Sequence, residues 1–428
     1  MDTKTLKPCG SYAWLLVLAL GLMSAGTTGS YSVVAGSFMT PVCEDLGIDY
    51  TAFSYYFTGT LLGLAATLPF AGKVMEKVVG NLRLVAIACV LLAAGALMSV
   101  YTEAWQFWIS ALIIGAGMAF TTGVAMSAVI DQWFVKKAGL AIGLAWAVNS
   151  VYMLVMSPVM ISIIEAVGWR TGYLILAAIS AVLVLPCMLF VIRYKPADRG
   201  MLPYGYDPSS AADEPVAAVA EAGVPFKVAV KSPAFVACVL FLCLVQLTVC
   251  MNQLFPTFAA EVGFDPIIGG YMVSAASFAD IFLNVFVGST CDRFGSMKAL
   301  LAWIGVSILS FVMLIFSVAN PALAVVAAGV NDVMYVVAGA GLTCLIMEIF
   351  GSRDFGRIFA WICAIGYIVG AFGMPVMTGV YGMTGSFQAV FGFCIVLNVI
   401  IALLLVFARK SGAKLQWEGV AADPVSES

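Results

Sequence analysis

Histidine is absent from this chain of 428 residues, and Asp, Glu, Lys and Arg together make up only 10% of it. The absence of histidine removes the commonest general base and metal ligand. The low content of charged residues excludes a soluble globular domain, because such domains carry about 25% charged residues. The 11 cysteines form no CxxC pair, the spacing typical of metal and redox sites. The phosphate-binding patterns GxxxxGKS and GxxxxGKT do not occur either. We therefore expect no cofactor, no metal and no ATP-driven chemistry, and the sequence disfavours an enzyme.

Long apolar runs are what the chain has instead. Hydrophobic residues account for 63% of it, and a membrane-spanning helix needs about 20 mainly apolar residues. The runs are continuous rather than short and alternating, so helices are predicted and a β-barrel is not. The first run is too long and too rich in Gly and Thr for a cleavable signal peptide. Twelve spans are predicted, at residues 12–37, 51–72, 82–101, 105–130, 138–164, 170–192, 234–260, 267–290, 299–319, 321–347, 358–381 and 386–408.

Positive charges are distributed unevenly among the loops between these runs. If the amino terminus is cytoplasmic, 19 of the 20 Lys and Arg residues fall on the cytoplasmic side, and only Arg170 falls on the other. The opposite loops carry acids instead, namely Glu44, Asp45, Asp49, Glu103, Glu165, Glu261 and Asp265. This distribution obeys the positive-inside rule. It predicts a multi-pass protein of the cell membrane with both termini in the cytoplasm.

One long polar interval divides the apolar sequence. It carries five Lys and Arg residues around a stretch rich in Ala, Pro and acids, a composition typical of a mobile linker. Six predicted spans precede it and six follow it. The predicted organisation is therefore a first half at 1–192, a cytoplasmic linker at 193–232, a second half at 233–410 and a cytoplasmic tail at 411–428.

Two loops at equivalent places in the halves share a pattern of Gly, an acid, a cation, and a further Gly and cation. GKVMEKVVGNLR (72–83) follows the second predicted span, and GSTCDRFGSMK (288–298) follows the eighth. Recurrence at matching places is typical of duplicated six-span units, and plain positive-inside loop chemistry is the alternative. A tight turn needs Gly, and the charges can pair with helix ends. The candidate cytoplasmic gating residues are Gly72, Glu76, Lys77, Gly288, Asp292, Arg293 and Gly295.

The repeated loop resembles the signature of the major facilitator superfamily, closely in its second copy. WFVKKAGLAIGLAWAVNS (133–150) resembles the motif shared by monocarboxylate transporters and bacterial oxalate–formate antiporters, and departs from it at Ala138 and Val148. GWR (168–170) and RYKPADRGMLPYG (193–205) look like the same families. The resemblance implies an all-α membrane protein with twelve transmembrane helices in two pseudo-symmetric six-helix bundles, acting as a monomer. It also implies secondary transport of a small organic acid by alternating access, coupled to protons or to exchange for a counter-transported anion.

Only two charged residues lie deep in the predicted spans, Asp280 in the eighth and Asp332 in the tenth. A charge at the bilayer centre costs at least about 2.5–3.5 kcal/mol, so such acids indicate function. A neutral, hydrogen-bonded structural acid is the alternative for each. Asp280 and Asn284 are four residues apart and therefore share a helix face. The candidates for binding substrate or protons are Asp280, Asn284, Asp332, Asn331, Tyr31, Thr28, Asn149 and Asn252.

Small residues mark two of the predicted spans. The first span carries many of them between Gly21 and Phe38, a composition that favours close helix packing. In that interpretation Tyr31 and Thr28 are packing residues, whereas in the functional one they face a cavity. The eleventh span contains Gly366, Gly370, Gly373 and Pro375. Gly and Pro allow a membrane helix to bend or to approach a neighbour closely, which suits gating or packing.

A missing cation bears on the substrate class that the resemblance implies. Monocarboxylate transporters carry Asp-x-x-x-Arg in the eighth span, and here Asp280 matches while Asn284 replaces the Arg. No Lys or Arg lies away from the ends of any predicted span, so a carboxylate substrate would depend on hydroxyls, amides and helix N-termini.

Two alternative functions stay open. One is transport of a neutral or cationic small molecule with Asp280 as counter-ion or proton site, and the other is a membrane sensor that binds a solute without moving it. The expected partners are a small molecule and the lipid bilayer, and no nucleic acid.

Overall fold

Backbone hydrogen bonding explains why helices dominate the structure. A bilayer offers no water to N–H and C=O groups, so a spanning segment must satisfy them internally. The computed structural model describes residues 7–8, 10–77, 82–121, 126, 129–130, 132–134, 137–193, 196–205, 223–351 and 354–415. Over these residues, eight helices are long and apolar enough to cross a membrane, judged by length and composition. Two shorter apolar helices cover Leu84–Val100 and Ala104–Met118.

The helices of the first half follow the predicted runs closely, and we number them as spans in chain order. Span 1 is Gly10–Leu46, span 2 is Tyr50–Lys77, span 3 is Leu82–Leu97 with a last turn at Met98–Val100, span 4 begins with Ala104–Met118, and spans 5 and 6 together form Ala138–Pro186 with a last turn at Cys187–Val191. Short turns therefore separate long antiparallel helices, as expected for a helical bundle.

The second half has the same plan. Span 7 is Pro233–Val249 and Met251–Glu261, span 8 is Pro266–Phe294, span 9 is Ser296–Phe316, span 10 is Pro321–Asn331, Val333–Val336, Val337–Gly341 and Leu342–Phe350, span 11 is Phe355–Gly370 and Gly373–Thr384, and span 12 is Phe387–Gly412. The predicted fold class, an all-α membrane bundle of twelve helices, is confirmed. The predicted limits of the halves, linker and tail stay a prediction.

Three spans of the second half begin with the same local signal. Ser232, Asp265 and Asn320 each precede a Pro, and each side chain accepts a hydrogen bond from a backbone N–H in the first turn. Such a residue satisfies a donor that the helix leaves unpaired. Pro suits the next position because its missing N–H would have had no partner there. The dipeptides SP, DP and NP thus fix where spans 7, 8 and 10 start.

Spans 5 and 6 are joined by a single residue. Gly168 has φ 80° and ψ 160°, a conformation that interrupts the helix between Ala138 and Pro186. Residues that carry a side chain rarely adopt this φ, so glycine is needed at this position. Arg170, directly after the turn, donates to the carbonyl oxygens of Ser99 (3.2 Å) and Tyr101 (3.3 Å) and pairs with Asp45 at 3.7 Å. The turn is thereby attached to the ends of spans 1 and 3.

Glycines bring spans 2 and 4 into backbone contact. A Cβ at Gly115 would collide with the carbonyl group of Thr60, and one at Gly63 would collide with that of Leu112. A Cβ at Gly59 would lie 3.0 Å from Ala111 and Trp108. Without a hydrophobic driving force between helices in lipid, such close approach supplies much of the packing energy. Spans 2 and 4 therefore form a tightly packed pair.

Several helices of the second half are interrupted, and so is span 1 of the first half, which is wound irregularly over Ala25–Val33 and Val34–Phe38. Span 7 breaks at Cys250, span 10 breaks at Asp332 and again in the wide turn Val337–Gly341, and span 11 breaks between Gly370 and Gly373. The break in span 11 falls among the glycines of that span, where the sequence predicts bending or close packing. Breaks within membrane helices free backbone groups that must find other partners. The second half thus contains several points where the regular helical hydrogen bonding of a span is interrupted.

The described ends of the predicted linker dock on the half to which each is joined. Strand β1 (Lys7–Pro8) pairs in parallel with strand β2 (Met201–Leu202). On the other side, the backbone N–H of Val224 donates to Phe350 O (2.8 Å), and that of Phe226 donates to Asp354 Oδ2 (2.7 Å). Each described edge of the linker is therefore anchored by backbone hydrogen bonds to its own half.

The halves meet between mid-span and one end of the bundle. Among the described residues, six hydrogen bonds join spans 1–6 to spans 7–12, through the pairs Tyr50–Glu261, Ser54–Thr378, Thr58–Ala371, Ser32–Gln253, Ser150–Asp280 and Leu154–Ser274. We call the end where residues 46–50 and 261–266 lie the closed end. The opposite end, to which the linker attaches, is the linker end.

Candidate functional site

Asp280 lies halfway along span 8, on the face of the helix turned toward the first half. Its Oδ2 accepts a hydrogen bond from Ser150 Oγ of span 5 (3.1 Å), and its Oδ1 accepts one from Asn284 Nδ2 (2.8 Å). The opposite face of span 8 exposes Phe278 and Phe282, as expected for a side that meets lipid. The acid that the sequence singles out therefore sits where the two halves meet, with Asn284 on it as predicted from their spacing.

Asp332 lies at the first break of span 10 and is only 3% exposed. Its Oδ1 accepts a hydrogen bond from Asn252 Nδ2 of span 7 (2.6 Å), whereas its Oδ2 has no hydrogen-bond partner among the described residues. Asp280 is close enough for the negative charges of the two acids to repel each other. The structure thus brings Asp280, Asn284, Asp332 and Asn252 together in one polar centre.

Asn331 belongs elsewhere although it is next to Asp332 in sequence. Its Nδ2 donates to Ser310 Oγ of span 9 (2.9 Å), and the side chain is 4% exposed. Adjacent residues of a helix point in directions about 100° apart, so they rarely share a site. Asn331 therefore joins spans 9 and 10 and is not brought to the acids.

A tyrosine that the sequence argument did not select, Tyr335, lies beside the acids, and Tyr367 lies next to it. Tyr335 of span 10 is 48% exposed and Tyr367 of span 11 is 42% exposed. Tyr335 interacts electrostatically with Asp280, Asp332 and Tyr367. Because Tyr335 is about half exposed although it lies beside two largely buried acids, we infer that it lines an open space inside the bundle. Tyr335 is one helical turn after Asp332, so the i, i+3 spacing is a signal that could have identified it.

Tyr31 and Thr28 of span 1 occupy different environments. Tyr31 is fully buried, its ring contacts Gly95 of span 3, and its carbonyl oxygen accepts a hydrogen bond from Tyr56 OH (2.7 Å). Thr28 is half-buried, and its hydroxyl has no partner within the described part of the chain. The packing interpretation of the small residues therefore describes Tyr31, which lies inside the first half rather than on the open space.

Asn149 precedes Ser150 in span 5, and it faces span 1 inside the first half. Asn149 is 3% exposed, and its Oδ1 would be 3.0 Å from a Cβ at Gly29. Ser30 Oγ is 2.6 Å from Tyr152 OH and accepts a hydrogen bond from Ser180 Oγ (3.1 Å). Asn149 thus packs between spans 1 and 5, close in sequence to Ser150 but not on the acids.

Among the described residues, fixed positive charge is missing at the depth of the acids. Over the described ranges, Lys and Arg lie at the ends of spans, as Arg170 does at the closed end and Arg357 and Arg409 do at the linker end. The same residues include no group of three or more His, Cys, Asp or Glu that could hold a metal ion. The polar centre consequently offers carboxyl, amide and hydroxyl groups, and a proton or a bound cation is what can neutralise its acids.

The second copy of the predicted gating motif forms the turn between spans 8 and 9. Gly295 has φ 81°, which explains why glycine occupies it, while Gly288 faces open space. The guanidinium of Arg293 lies 5.5 Å from the ring of Phe294. The side chain of Asp292 lies outside the described residues, as do those of Glu76 and Lys77, whose backbones with Gly72 end span 2. At the same end of the bundle, Glu348 of span 10 forms an ion pair with Arg409 at 2.9 Å and accepts a hydrogen bond from the backbone N–H of Ser296 (2.8 Å).

The closed end carries a carboxylate between two phenols. Glu261 Oε1 accepts a hydrogen bond from Tyr50 OH of span 2 (2.8 Å), and its Oε2 accepts one from Tyr381 OH of span 11 (2.6 Å). The two rings are 6.1 Å apart. Tyr50 belongs to the first half, whereas Glu261 and Tyr381 belong to the second. One of the two hydrogen bonds therefore crosses between the halves.

This arrangement of twelve helices around a central polar site is matched by a family of known proteins. The model of the Major Facilitator Superfamily matches residues 14–343 and 250–424. The chain belongs to this superfamily, whose members include membrane transporters.

Individual relatives are more distant. Over 161 residues the chain is 24% identical to the uncharacterized MFS-type transporter YcxA of Bacillus subtilis (strain 168), an alignment that covers 37% of this chain and 39% of the relative. Over 196 residues it is 24% identical to monocarboxylate transporter 3 of Gallus gallus, covering 45% of this chain and 35% of that one. The matched segments thus span little more than a third of each relative.

Solved structures share the fold of the chain over almost its whole length. A bacterial homolog of the human lysosomal transporter Spinster, in an inward-facing and occupied conformation, matches with a TM-score of 0.71 at 14% identity, over 94% of this chain and 97% of that one. The nucleoside transporter NupG matches with a TM-score of 0.66 at 15% identity, over 93% of this chain and 99% of that one. These likenesses show the fold alone.

Proposed function

We propose that this chain moves a small organic acid across the cell membrane by alternating access, together with a proton that Asp280 carries. The observation behind the proposal is the environment of that carboxyl. It lies at mid-span between the halves, hydrogen-bonded to Ser150 and Asn284, with no fixed cation at its depth in the described structure. A proton is the simplest way to neutralise an acid in such a place.

Protonation also explains how an acid can be a substrate beside other acids. A charged carboxylate entering near Asp280 and Asp332 would meet like charge in a poorly hydrated space, which is unfavourable. A protonated carboxyl instead has an O–H to donate, and a substrate carboxylate can accept it. The substrate anion and one proton then cross together as a neutral pair. The match to monocarboxylate transporter 3 over 45% of the chain supports this substrate class.

The orientation that we propose follows the distribution of Lys and Arg. With both termini in the cytoplasm, the linker end faces the cytoplasm and the closed end faces outward. The described contacts between the halves, which run from Ser150–Asp280 to Tyr50–Glu261, then correspond to an inward-facing state. Gly288, Asp292, Arg293 and Gly295 would close the cytoplasmic side in the opposite state.

A cationic solute is the second candidate, and the tyrosines favour it. Tyr335 is about half exposed beside Asp280 and Asp332, and the partly exposed Tyr367 lies next to Tyr335. Aromatic faces and carboxylates together suit an organic cation, which would neutralise the acids without a proton. In this case Asp280 contacts the substrate directly.

Uptake into proteoliposomes distinguishes these candidates. The purified chain is reconstituted, a pH gradient is imposed, and radiolabelled L-lactate, oxalate and tetraethylammonium serve as probes. Asp280→Asn keeps the shape of the side chain but cannot release a proton. We expect this variant to lose pH-driven lactate or oxalate accumulation and to retain exchange across equal pH. Glu165→Gln, which alters an exposed acid of the closed end, is the matched control.

Two other results would change the conclusion. If accumulation and exchange of tetraethylammonium fall together in Asp280→Asn, the cationic substrate is the correct candidate. If the variant accumulates every transported probe with the pH dependence of the unmodified protein, Asp280 has a structural role and the proposal is refuted.

A further inference from the structure

Ser150 is the hydroxyl that reaches Asp280 from the other half. It lies in span 5, is 3% exposed, and its Oγ is 3.1 Å from Asp280 Oδ2. The same oxygen is 3.2 Å from the carbonyl oxygen of Trp146, one turn earlier in its own helix. Ser150 therefore has two possible acceptors, one in each half, and a single proton to donate.

A hydroxyl in this position can serve both charge states of the acid, because it has one donor and two acceptor lone pairs. When Asp280 is ionised, Ser150 donates to its carboxylate. When Oδ2 of Asp280 is protonated, the carboxyl donates to Ser150 Oγ, and Ser150 donates to Trp146 O. Asn284 is held differently, because its Nδ2 donates both to Oδ1 (2.8 Å) and to the carbonyl oxygen (2.9 Å) of Asp280, and turning the amide oxygen toward the acid would break both bonds. Ser150 is thus the partner whose hydrogen bond reverses when the proton arrives.

We infer that Ser150 is a positioning residue that sets how tightly Asp280 holds its proton, and that it does so from the opposite half. The inference rests on the proposed function, in which Asp280 carries the coupling proton. A hydrogen bond to an ionised acceptor is stronger than one to a neutral acceptor, so Ser150 favours release of the proton. When spans 5 and 8 move apart, the donor leaves and Asp280 binds the proton more tightly. Proton release is then linked to contact between the halves.

The other ionisable groups facing Asp280 do not provide this link. Asp332 and Tyr335 both interact with it electrostatically, but they belong to span 10 of the same half. Over the described residues no Lys or Arg reaches this depth. Ser274 crosses between the same two helices, since its Oγ donates to Leu154 O (2.5 Å), but it contacts no acid there. Ser150 and Ser274 are therefore a matched pair, of which one touches the acid.

Infrared difference spectroscopy of the reconstituted full chain tests the inference without a substrate. The C=O stretch of a protonated carboxyl is followed as pH changes, and the band that disappears in Asp280→Asn is assigned to Asp280. We expect Ser150→Ala to move the midpoint of this band upward by about one pH unit, a tenfold change in proton affinity or about 1.4 kcal/mol. Ser150→Thr keeps the hydroxyl and should keep the midpoint, and Ser274→Ala should keep it as well.

The outcomes separate this inference from the proposed function. An unchanged midpoint in Ser150→Ala overturns the inference and leaves proton transport by Asp280 intact. An equal shift in Ser274→Ala also overturns it, because loosening of the interface would then be the cause. If no band of the unmodified protein belongs to Asp280, the acid does not titrate and the proposed function itself fails. Thermal unfolding of each variant establishes that the spectra come from folded protein.

Discussion

The hydrogen bonds of Glu261 allow a direct test of how the closed end opens. Tyr50 donates to Glu261 across the halves (2.8 Å), whereas Tyr381 donates to it from within the same half (2.6 Å). If the halves separate here during transport, the first bond breaks and the second survives. Tyr50→Phe should therefore favour the open state, and Tyr381→Phe should not. The two changes remove the same atom from the same kind of residue, so each is the control of the other.

The expected size of the effect follows from the exposure of the acceptor. A hydrogen bond to a charged group contributes about 1.5–3 kcal/mol when buried, and an ordinary one about 0.5–1.5 kcal/mol. Glu261 is exposed, so water replaces part of what is lost and the lower range applies. Loss of about 0.5–1.5 kcal/mol changes the ratio of open to closed states by about two- to tenfold.

Distances between the two halves at the closed end give the measurement. Spectroscopic labels on unnatural amino acids at Glu165 of the first half and Met383 of the second leave the native cysteines unmodified, and both positions are exposed. In Tyr50→Phe the population at the longer distance should rise by the factor above. Equal populations in both variants and the unmodified protein would show that this hydrogen bond does not hold the closed end, and equal rises would show a general effect of losing a phenol.

Three further predictions concern packing, topology and gating. Gly115→Ala places a Cβ against a backbone carbonyl and should destabilise the fold by about 1–3 kcal/mol, measured as a lower unfolding temperature, whereas Gly305→Ala, with nothing within 4 Å, should not. A cysteine introduced next to Asp265 should react with an impermeant thiol reagent in intact cells, and one at Ala218 only after permeabilisation; reaction at Ala218 in intact cells contradicts the proposed orientation. Asp292→Asn should slow transport while equilibrium binding of the substrate stays nearly unchanged, and weak binding with normal transport would remove it from the gate.

The positions of the helices along the chain were predictable because they depend on composition. Apolar runs fix where a segment can cross lipid, and local signals such as Asp265–Pro266 fix where a span begins. Span 8, predicted at 267–290, is Pro266–Phe294. These properties are read from consecutive residues, and no knowledge of neighbouring helices is needed.

The contacts of the site were only partly predictable because they depend on how each helix is rotated. Asp280 and Asn284 lie on one helix, so their spacing predicted their contact. Asn331 and Asp332 are equally polar and adjacent, yet one bonds to span 9 and the other to span 7. The polar hydroxyl of Tyr31 allowed the sequence to suggest a cavity position. In the structure its ring packs against Gly95 of span 3, which leaves room for it because glycine has no side chain. Such differences arise from partners distant in sequence.

Ser150 shows the same limit most clearly. Nothing in its own surroundings, AVNSVY (147–152), marks it as a partner of an acid 130 residues away. The contact exists because span 5 of one half faces span 8 of the other. The predicted spans and the position of Asp280 indicate the depth in the membrane at which its partners must lie. Which residue at that depth contacts Asp280 depends on how the two halves pack.

The break in span 11 gives the two halves different mechanical properties. Spans 2 and 4 are held backbone to backbone at Gly63 and Gly115, which makes this part of the first half stiff. The regular helix of span 11 is interrupted after Gly370, and there Thr58 of span 2 donates to the carbonyl oxygen of Ala371 (2.6 Å). A tightly packed helix of the first half is thus bonded to span 11 at the point where its helix is interrupted. Any force that straightens or bends span 11 acts on this bond, so deformation within the second half and separation of the halves are coupled movements.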